Sequence, residues 1–312
     1  MSRTYLPDEM ATPRDPSREP REHEPGQHRD EEGHNQGRSG GAEHQPRASA
    51  PQEARKPEAR TVEPRKPYEY RDRTYVLRSS EIQTMTDIGK FRAVDAKDLR
   101  EFAYDGESKL LEADLANLRR QGLIVEREIP HHQETAPRQL VALTKQGHRL
   151  LSATKSASKD QALYHGFTKP REAHHDADLY RLYQRGLEKI AREGGTNMRV
   201  ILDSELKKNL YRDLARTERK GNSGDAKTEI AERHGLRVVR GKIPVPDLRI
   251  GYETSDQEHT RVDLELATEH YRFRNIAQKV RAGFSIYARA QDASNLRRVL
   301  NQHELTAEIL NL

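Results

Sequence analysis

Apolar residues recur at helical spacing in three short segments between residues 78 and 122. Ser79 opens the first predicted helix, Asp95 precedes the second, and Gly106 precedes the third. Gly122 follows the third helix, at the position where glycine commonly ends a helix. The three apolar stripes are Ile82, Met85 and Ile88, then Leu99, Phe102 and Ala103, then Leu111, Leu115 and Leu118.

Two short apolar segments and a further helix follow the third stripe. Strands are predicted at 123–125 and 140–143, separated by a polar stretch, and Thr144 opens a helix through Leu150 and Leu151. This order predicts a winged helix-turn-helix over about residues 78–150: three helices, a hairpin with a long polar tip and a further helix. The segment LEADLANLRRQGLIVERE…RQLVALTKQGHRLL resembles the third helix, wing and exit of many bacterial winged-helix proteins.

The C-terminal half has a different pattern. A helix is predicted from His174-His175-Asp176 to Gly194-Gly195, and a long helix over 271–289 has Ile276, Val280, Phe284 and Tyr287 as its buried stripe. Strands are predicted at 198–202, 245–250 and 261–266, with a polar insert around 220–224 before the second strand. This order predicts a small α/β or α+β unit with a mixed sheet. The predicted fold class of the whole chain is α+β.

Residues 1–70 lack any apolar periodicity. They hold ten of the chain's 15 prolines, so the segment predicts a disordered N-terminal tail that is dispensable for folding. The predicted organisation is therefore a tail at 1–70, a winged helix-turn-helix domain at 71–155 and an α/β domain at 170–312. The four tail histidines are irregularly spaced and imply no metal site.

Composition and charge narrow the class of protein. The chain of 312 residues has no cysteine, which excludes disulfides and thiolate metal sites and suits a cytoplasmic location. Its sequence also has no apolar run of membrane-span length, so no membrane partner is expected. The net charge of +5 gives only weak support for a polyanionic partner, because the chain also has 50 acidic residues.

The exposed face predicted for the third helix carries the candidate DNA-binding residues. Lysine and arginine neutralise phosphates, whereas asparagine and arginine also pair with base edges, so double-stranded DNA is the expected partner. An alternative is a winged helix used for protein contact, because residues 71–150 carry a net charge of only about +1. The predicted DNA contacts are Ser108, Lys109, Asn117, Arg119 and Arg120 on the helix, and Arg138 with His131, His132 and Gln133 at the wing.

Alternation along two predicted strands places three carboxylates on one face. Asp247 lies opposite the apolar face of its strand, and Asp263 and Glu265 lie opposite that of the next strand. If the strands are neighbours, the three groups converge and can bind Mg²⁺ or Mn²⁺, which activates water and stabilises charge on a phosphodiester. The alternative is a half-solvated sheet in which the acids pair with Arg249 and Arg261. His175, Asp178 and Glu205 are further candidates.

The same segments resemble the core of the PD-(D/E)xK nucleases, which have a restriction-endonuclease-like fold. Pro246-Asp247 and Asp263-Leu264-Glu265 carry the resemblance. Ala267 stands where the motif has lysine, and Lys279 on the following helix can reach back in its place. The resemblance thus implies Asp247, Asp263, Glu265 and Lys279 as catalytic residues, the three acids being metal ligands.

The folded region as a whole resembles the replication-relaxation family of plasmids and mobile elements. This resemblance rests on the order of six features: the winged helix, His174-His175-Asp176, Asp203-Ser204-Glu205, Pro246-Asp247, Glu265 and the Lys279…Tyr287 segment. It implies a DNA-binding protein acting in plasmid replication or in DNA relaxation and mobilisation. Its expected partners are a relaxase or a replication initiator, and a second copy in a homodimer. A Mg²⁺-dependent endonuclease targeted by the winged helix and a transcriptional regulator are the alternatives.

Overall fold

The computed structural model describes residues 63–130, 136–154, 156–218, 225–268, 273–302 and 308–312. The predicted disorder of the tail, apart from its last residues, and the predicted contacts of His131, His132 and Gln133 lie outside the described residues. From Thr61 to Leu312 the chain forms one compact unit of mixed helix and strand, so the α+β class is confirmed.

The first described elements are two short strands that the sequence analysis did not predict. Strands β1 (Lys66–Tyr70) and β2 (Arg73–Leu77) form an antiparallel hairpin. Arg65, just before the hairpin, donates to the buried carboxylate of Glu81 over 2.9 Å. The predicted tail boundary at residue 70 is therefore wrong, because residues 65–70 pair with and anchor the folded unit.

Three helices, two strands and a fourth helix follow the hairpin in the predicted order, and a two-residue strand between the first two helices, which was not predicted, completes a three-stranded antiparallel sheet. The elements are α1 (Ser79–Phe91), β3 (Val94–Asp95), α2 (Ala96–Phe102), α3 (Ser108–Arg120), β4 (Ile124–Ile129), β5 (Arg138–Leu143) and α4 (Lys145–Thr154). The Asp95 carboxylate caps α2 by accepting from the Lys97 backbone N–H, and Gly122 ends α3 with a φ of +71°. The sheet order is β3-β5-β4, and the buried stripes of the three helices pack on it.

The C-terminal half is built on a five-stranded mixed sheet. The elements are α5 (Pro170–Arg192), β6 (Thr196–Leu202), α6 (Asp203–Glu218), α7 (Asp225–Arg233), β7 (Leu248–Glu253), β8 (His259–Ala267), α8 (Phe273–Ala282), β9 (Ser285–Ala288), α9 (Ala290–Asn301) and β10 (Ile309–Asn311). Strand β7 is antiparallel to both β6 and β8, whereas β9 is parallel to both β8 and β10.

Two predictions for this half are wrong. The helix predicted over 271–289 ends at Ala282, because Gly283 has a φ of +88° and the chain then enters β9. The strand predicted from Val245 starts only at Leu248, which leaves Asp247 just before β7. Helices α6 and α7 flank the polar insert, where no helix was predicted.

Aromatic side chains join the two halves. The ring of Phe91 at the end of α1 packs edge-on against Tyr180 of α5, with centroids 5.4 Å apart, and Phe102 of α2 approaches the same tyrosine at 6.2 Å. Arg181 of α5 forms ion pairs with Asp98 and Glu101 of α2. Helix α5 therefore fixes the three-helix module on the C-terminal sheet. No helix in the described ranges is long and apolar enough to cross a membrane.

Candidate functional site

Asp247 and Glu265 come together at the start of β7. The Asp247 backbone N–H donates to Glu265 Oε2 over 3.2 Å, and Asp247 Oδ2 accepts from the Leu266 backbone N–H over 3.0 Å. The Glu265 side chain has no exposed surface, whereas that of Asp247 is 16% exposed. One carboxylate of the pair is therefore enclosed by the sheet, and the other reaches solvent.

Lys279 of α8 completes this group. Its Nζ donates to the Glu265 carboxylate over 2.7 Å and to the Val245 carbonyl over 2.6 Å. The predicted reach of Lys279 toward the acids is thus present in the structure. Lys279, Glu265 and Asp247 bring two carboxylates and an ammonium group to one point, supplied by α8, by β8 and by the residue before β7.

Asp263 does not join this group. It lies opposite Arg249 in the β7–β8 register, and the guanidinium binds both of its oxygens, over 2.6 and 2.8 Å. Arg249 also donates to the carbonyls of His234 and Gly235. The predicted convergence of three carboxylates is therefore wrong, because the arginine holds Asp263 apart. Among the residues that the structure describes, no group of three or more His, Asp or Glu side chains is placed to hold a metal ion.

Three further side chains lie around Asp247. His175 Nε2 of α5 is 3.7 Å from Asp247 Oδ1, and the Asp203 backbone N–H at the start of α6 donates to the Asp247 carbonyl over 3.1 Å. Lys207, one turn along α6, bonds Asp203 over 2.7 Å. Burial lowers the pKa of Lys207, but the bond to Asp203 and the charges of Asp203 and Asp247 outweigh it and raise the pKa overall. This lysine therefore stays charged near the carboxylates of Asp247 and Glu265, which are called here the two-carboxylate group.

The other acidic candidates have structural partners. Asp178 pairs with Arg138 and with Arg289, at 2.9 and 2.7 Å. Glu205 accepts from Arg199 over 2.8 Å. Both carboxylates are therefore neutralised by arginine within the fold.

The exposed face of α3 retains four of the predicted DNA contacts. Lys109, Arg119 and Arg120 are exposed and Ser108 is half-buried. Arg119 forms an ion pair of 2.8 Å with Glu126 of β4, but its side chain remains 61% exposed. An exposed pair of this kind contributes little stability and can be exchanged for another anion.

Asn117 and Arg138 are buried and do not lie on that surface. Asn117 is buried and donates to the Val76 carbonyl and to Glu81, because hairpin β1–β2 covers this side of α3. Arg138 is buried between the carboxylates of Asp95 and Asp178. Predicting these two residues as DNA contacts was wrong, since polar residue type alone does not show which face is covered.

Buried charges support the covered side of α3. The carboxylates of Asp114 and Glu81 have no exposed surface; Arg65 lies 2.7 Å from Glu81 and 3.5 Å from Asp114. Tyr104 and Ser80 both donate to Asp114 Oδ2, over 3.0 and 2.7 Å. Burial raises the pKa of Asp114 despite these donors and the nearby Arg78. The network anchors α3 to the hairpin and to α1.

A groove of about 1040 Å³ runs between α2, α3 and the β4–β5 hairpin. Lys97 and Arg100 of α2 line one wall, both exposed, and Arg119 of α3 lines another. These two cations of α2 were not among the predicted DNA contacts. Their signal was available, because they lie outside the apolar stripe of the predicted second helix.

Comparisons of the chain with protein-family models, with curated proteins and with solved structures give no match.

Proposed function

We propose that this protein binds double-stranded DNA through the module formed by α1–α3 and β3–β5. The observation that carries the proposal is the exposed, cation-bearing face of α3, presented by three helices and a three-stranded sheet in winged helix-turn-helix order. In that architecture the third helix enters the major groove. Lys109, Arg119 and Arg120 supply phosphate and base contacts, and Lys97 and Arg100 add two cations across the groove, which Glu112 and Glu126 also line.

The biological setting proposed for this binding is replication or mobilisation of a mobile element. Its support is the order of sequence motifs that resembles the replication-relaxation family. In that setting a relaxase or replication initiator is the protein partner, and the protein acts in the cytoplasm.

Titration of a labelled DNA duplex with the full chain at several salt concentrations tests DNA binding. Affinity should fall as salt rises, with a logarithmic slope of about −0.9 per phosphate contact. Binding that is undetectable at low salt, or that does not respond to salt, would overturn the proposal and leave protein contact as the role of α3.

A second candidate function is metal-dependent DNA cleavage. The observation that favours it is Lys279 Nζ at 2.7 Å from Glu265, beside Asp247. The nuclease motif has a lysine two residues after its acid, and this chain has Ala267 at that position. Lys279 supplies the positive charge from α8 instead. The β6-β7-β8 antiparallel strands and parallel β9, preceded by α5, also support the restriction-endonuclease-like fold proposed for this half.

The donor set suits Mg²⁺ or Mn²⁺. Magnesium commonly takes one or two protein carboxylates and completes its shell with water and substrate phosphate, so Asp247 and Glu265 are sufficient protein ligands. A bound ion would activate water and stabilise charge on the phosphodiester. Lys279 pairs with the buried Glu265 carboxylate and fixes its position beside Asp247.

Incubation with supercoiled plasmid, with Mn²⁺ and with chelator, tests cleavage. Nicked or linear product is expected only with Mn²⁺, and Asp247→Asn should abolish it. Asp256→Asn, which neutralises an exposed acid in the β7–β8 turn, is the matched control and should cleave like the parent. A parent protein that leaves the plasmid supercoiled with Mn²⁺, or a cleaving Asp247→Asn variant, would reject this candidate.

A further inference from the structure

Helix α6 has one apolar and one basic face. Leu206 and Leu210 are buried against the core of the C-terminal half. The opposite face is exposed, and it is called here the α6 basic face. Its residues are Lys207, Lys208, Tyr211, Arg212 and Arg216.

Tyr211 lies at the centre of this face. It is 57% exposed, the highest value among the three exposed large hydrophobic side chains of the described chain. Lys207 and Lys208 are four and three residues before it, so both lie beside its ring on the helix surface, whereas Arg212 points about 100° further around the helix. An exposed aromatic ring with cations beside it is an arrangement with which proteins bind single-stranded nucleic acid, since bases stack on the ring and cations contact phosphates.

Asp203 neutralises one cation of this face by pairing with Lys207 over 2.7 Å, whereas Asp213 leaves the charges of Arg212 and Arg216 largely available. Asp213 accepts from His234 Nε2 over 2.9 Å, so its carboxylate is drawn toward the end of α7. Its oxygens lie 3.8 Å from Arg212 and from Arg216, whose side chains are 50% and 70% exposed. Ion pairs at that distance and exposure are weak, and a phosphate can replace them.

The α6 basic face leads away from the two-carboxylate group. Asp203, the first residue of the helix, bonds the Asp247 carbonyl, and Lys207 lies one turn further on. Arg216 is nine positions after Lys207, which corresponds to about 13 Å along the helix axis. A nucleic-acid strand lying along this face would therefore have one end at Asp247.

We propose that the α6 basic face binds single-stranded DNA, with a base stacked on Tyr211 and phosphates on Lys208 and Arg212. Double-helical DNA offers no unpaired base to the ring, so the face prefers an unpaired strand over a duplex. The choice of DNA over RNA rests on the proposed function, whereas the preference for an unpaired strand does not. The protein thus has two DNA surfaces, one on α3 for duplex and one on α6 for an unpaired strand.

Fluorescence anisotropy of a short labelled single strand, with the full chain in chelator, tests this proposal. Tyr211→Ala should weaken binding by about five-fold or more, whereas Tyr211→Phe, which keeps the ring, should bind like the parent. Lys208→Ala with Arg212→Ala should reduce the logarithmic salt slope by about 1.4. The matched control is Lys189→Ala with Arg192→Ala, which removes two exposed charges about 21 Å and about 26 Å along α5 from His175 and should have little effect.

Duplex binding by the same variants separates this proposal from the proposed function. Tyr211→Ala should leave duplex affinity unchanged, and Arg119→Ala with Arg120→Ala should lower it. A Tyr211→Ala protein that binds the single strand like the parent, or that loses duplex and single-strand affinity equally, overturns the role of the α6 basic face. Tighter binding of an RNA of the same sequence overturns DNA as its occupant. If the α3 variant binds duplex like the parent while Tyr211→Ala still weakens single-strand binding, the proposed function falls and the α6 proposal stands.

Discussion

The guanidinium of Arg138 lies 2.9 Å from the carboxylate of Asp178, and this ion pair joins strand β5 to helix α5. Its Nε also donates to Asp95 over 2.7 Å, and the arginine side chain is only 4% exposed. One buried cation therefore holds two carboxylates, one in each half of the folded chain. The residue that was predicted to lie at the wing surface instead connects strand β5 to helix α5 of the C-terminal half.

Arg138→Ala should destabilise the protein by about 3–5 kcal/mol, because it leaves Asp95 and Asp178 buried without this cation. Urea unfolding of the variant measures the loss. Arg119→Ala, an arginine that is 61% exposed, is the control and should change stability by less than about 1 kcal/mol. Equal stability of the two variants would show that the Arg138 ion pairs are not retained in solution.

A chain beginning at residue 71 should melt roughly 6–12 °C below one beginning at residue 63. The shorter chain lacks β1 and Arg65, so β2 loses its partner strand and the buried Glu81 carboxylate loses a cation. Scanning calorimetry of the two chains makes the comparison. Coincident melting temperatures would mean that residues 63–70 do not stabilise the folded unit.

Apolar spacing was sufficient to predict α1, α2 and α3, because each buries one stripe of regularly spaced side chains. Apolar spacing did not predict strand β9. Phe284, just before β9, and Tyr287, within it, continue the helical spacing of Ile276 and Val280. Because β9 is largely buried, its sequence has no polar–apolar alternation that would distinguish it from a helix.

Only part of the candidate site could be predicted, because the pattern of one strand does not show which residues of the neighbouring strand lie opposite it. Strand alternation identified Asp247 and Glu265, but it could not show that Arg249 would take Asp263 away, since that depends on the β7–β8 register. Helix α6, which supplies Lys207 and Tyr211, was not predicted, although its buried residues Leu206 and Leu210 have helical spacing. Position on the fold, more than residue type, therefore decides which charged residues remain exposed.

Lys279→Met should destabilise the metal-free protein by about 3–5 kcal/mol, because Glu265 is left buried without its ammonium partner. Adding Glu265→Gln to this variant removes the buried charge and should recover most of the loss. Urea unfolding of both single variants and the double variant gives the coupling free energy. Additive effects of the two changes would contradict a direct Lys279–Glu265 interaction.

Asp114→Asn should flatten the dependence of stability on pH. Burial raises the pKa of Asp114 above its ordinary value of 3.8, so the folded state keeps its proton at pH values where the unfolded state has lost it. The contribution of this carboxyl to stability is therefore largest below about pH 3.8 and falls as pH rises through the raised pKa.

Thermal melting of parent and Asp114→Asn proteins from about pH 4 to pH 7 measures this effect. The melting temperature of the asparagine variant relative to the parent should increase as pH rises. A difference that stays constant, or that decreases toward pH 7, would show that the bonds from Tyr104 and Ser80 outweigh burial.

The salt dependence of duplex DNA binding by Arg119→Ala with Arg120→Ala tests the central claim most directly, because these exposed residues lie on the face of α3 that is proposed to contact DNA. Relative to the parent, the variant should bind more weakly and its logarithmic salt slope should be shallower by about 1.8, the value for two lost phosphate contacts. Lys189→Ala with Arg192→Ala, an equal loss of charge on α5, should keep the parent slope. An Arg119/Arg120 variant with the parent's affinity and slope would contradict the account and show that α3 does not bind DNA.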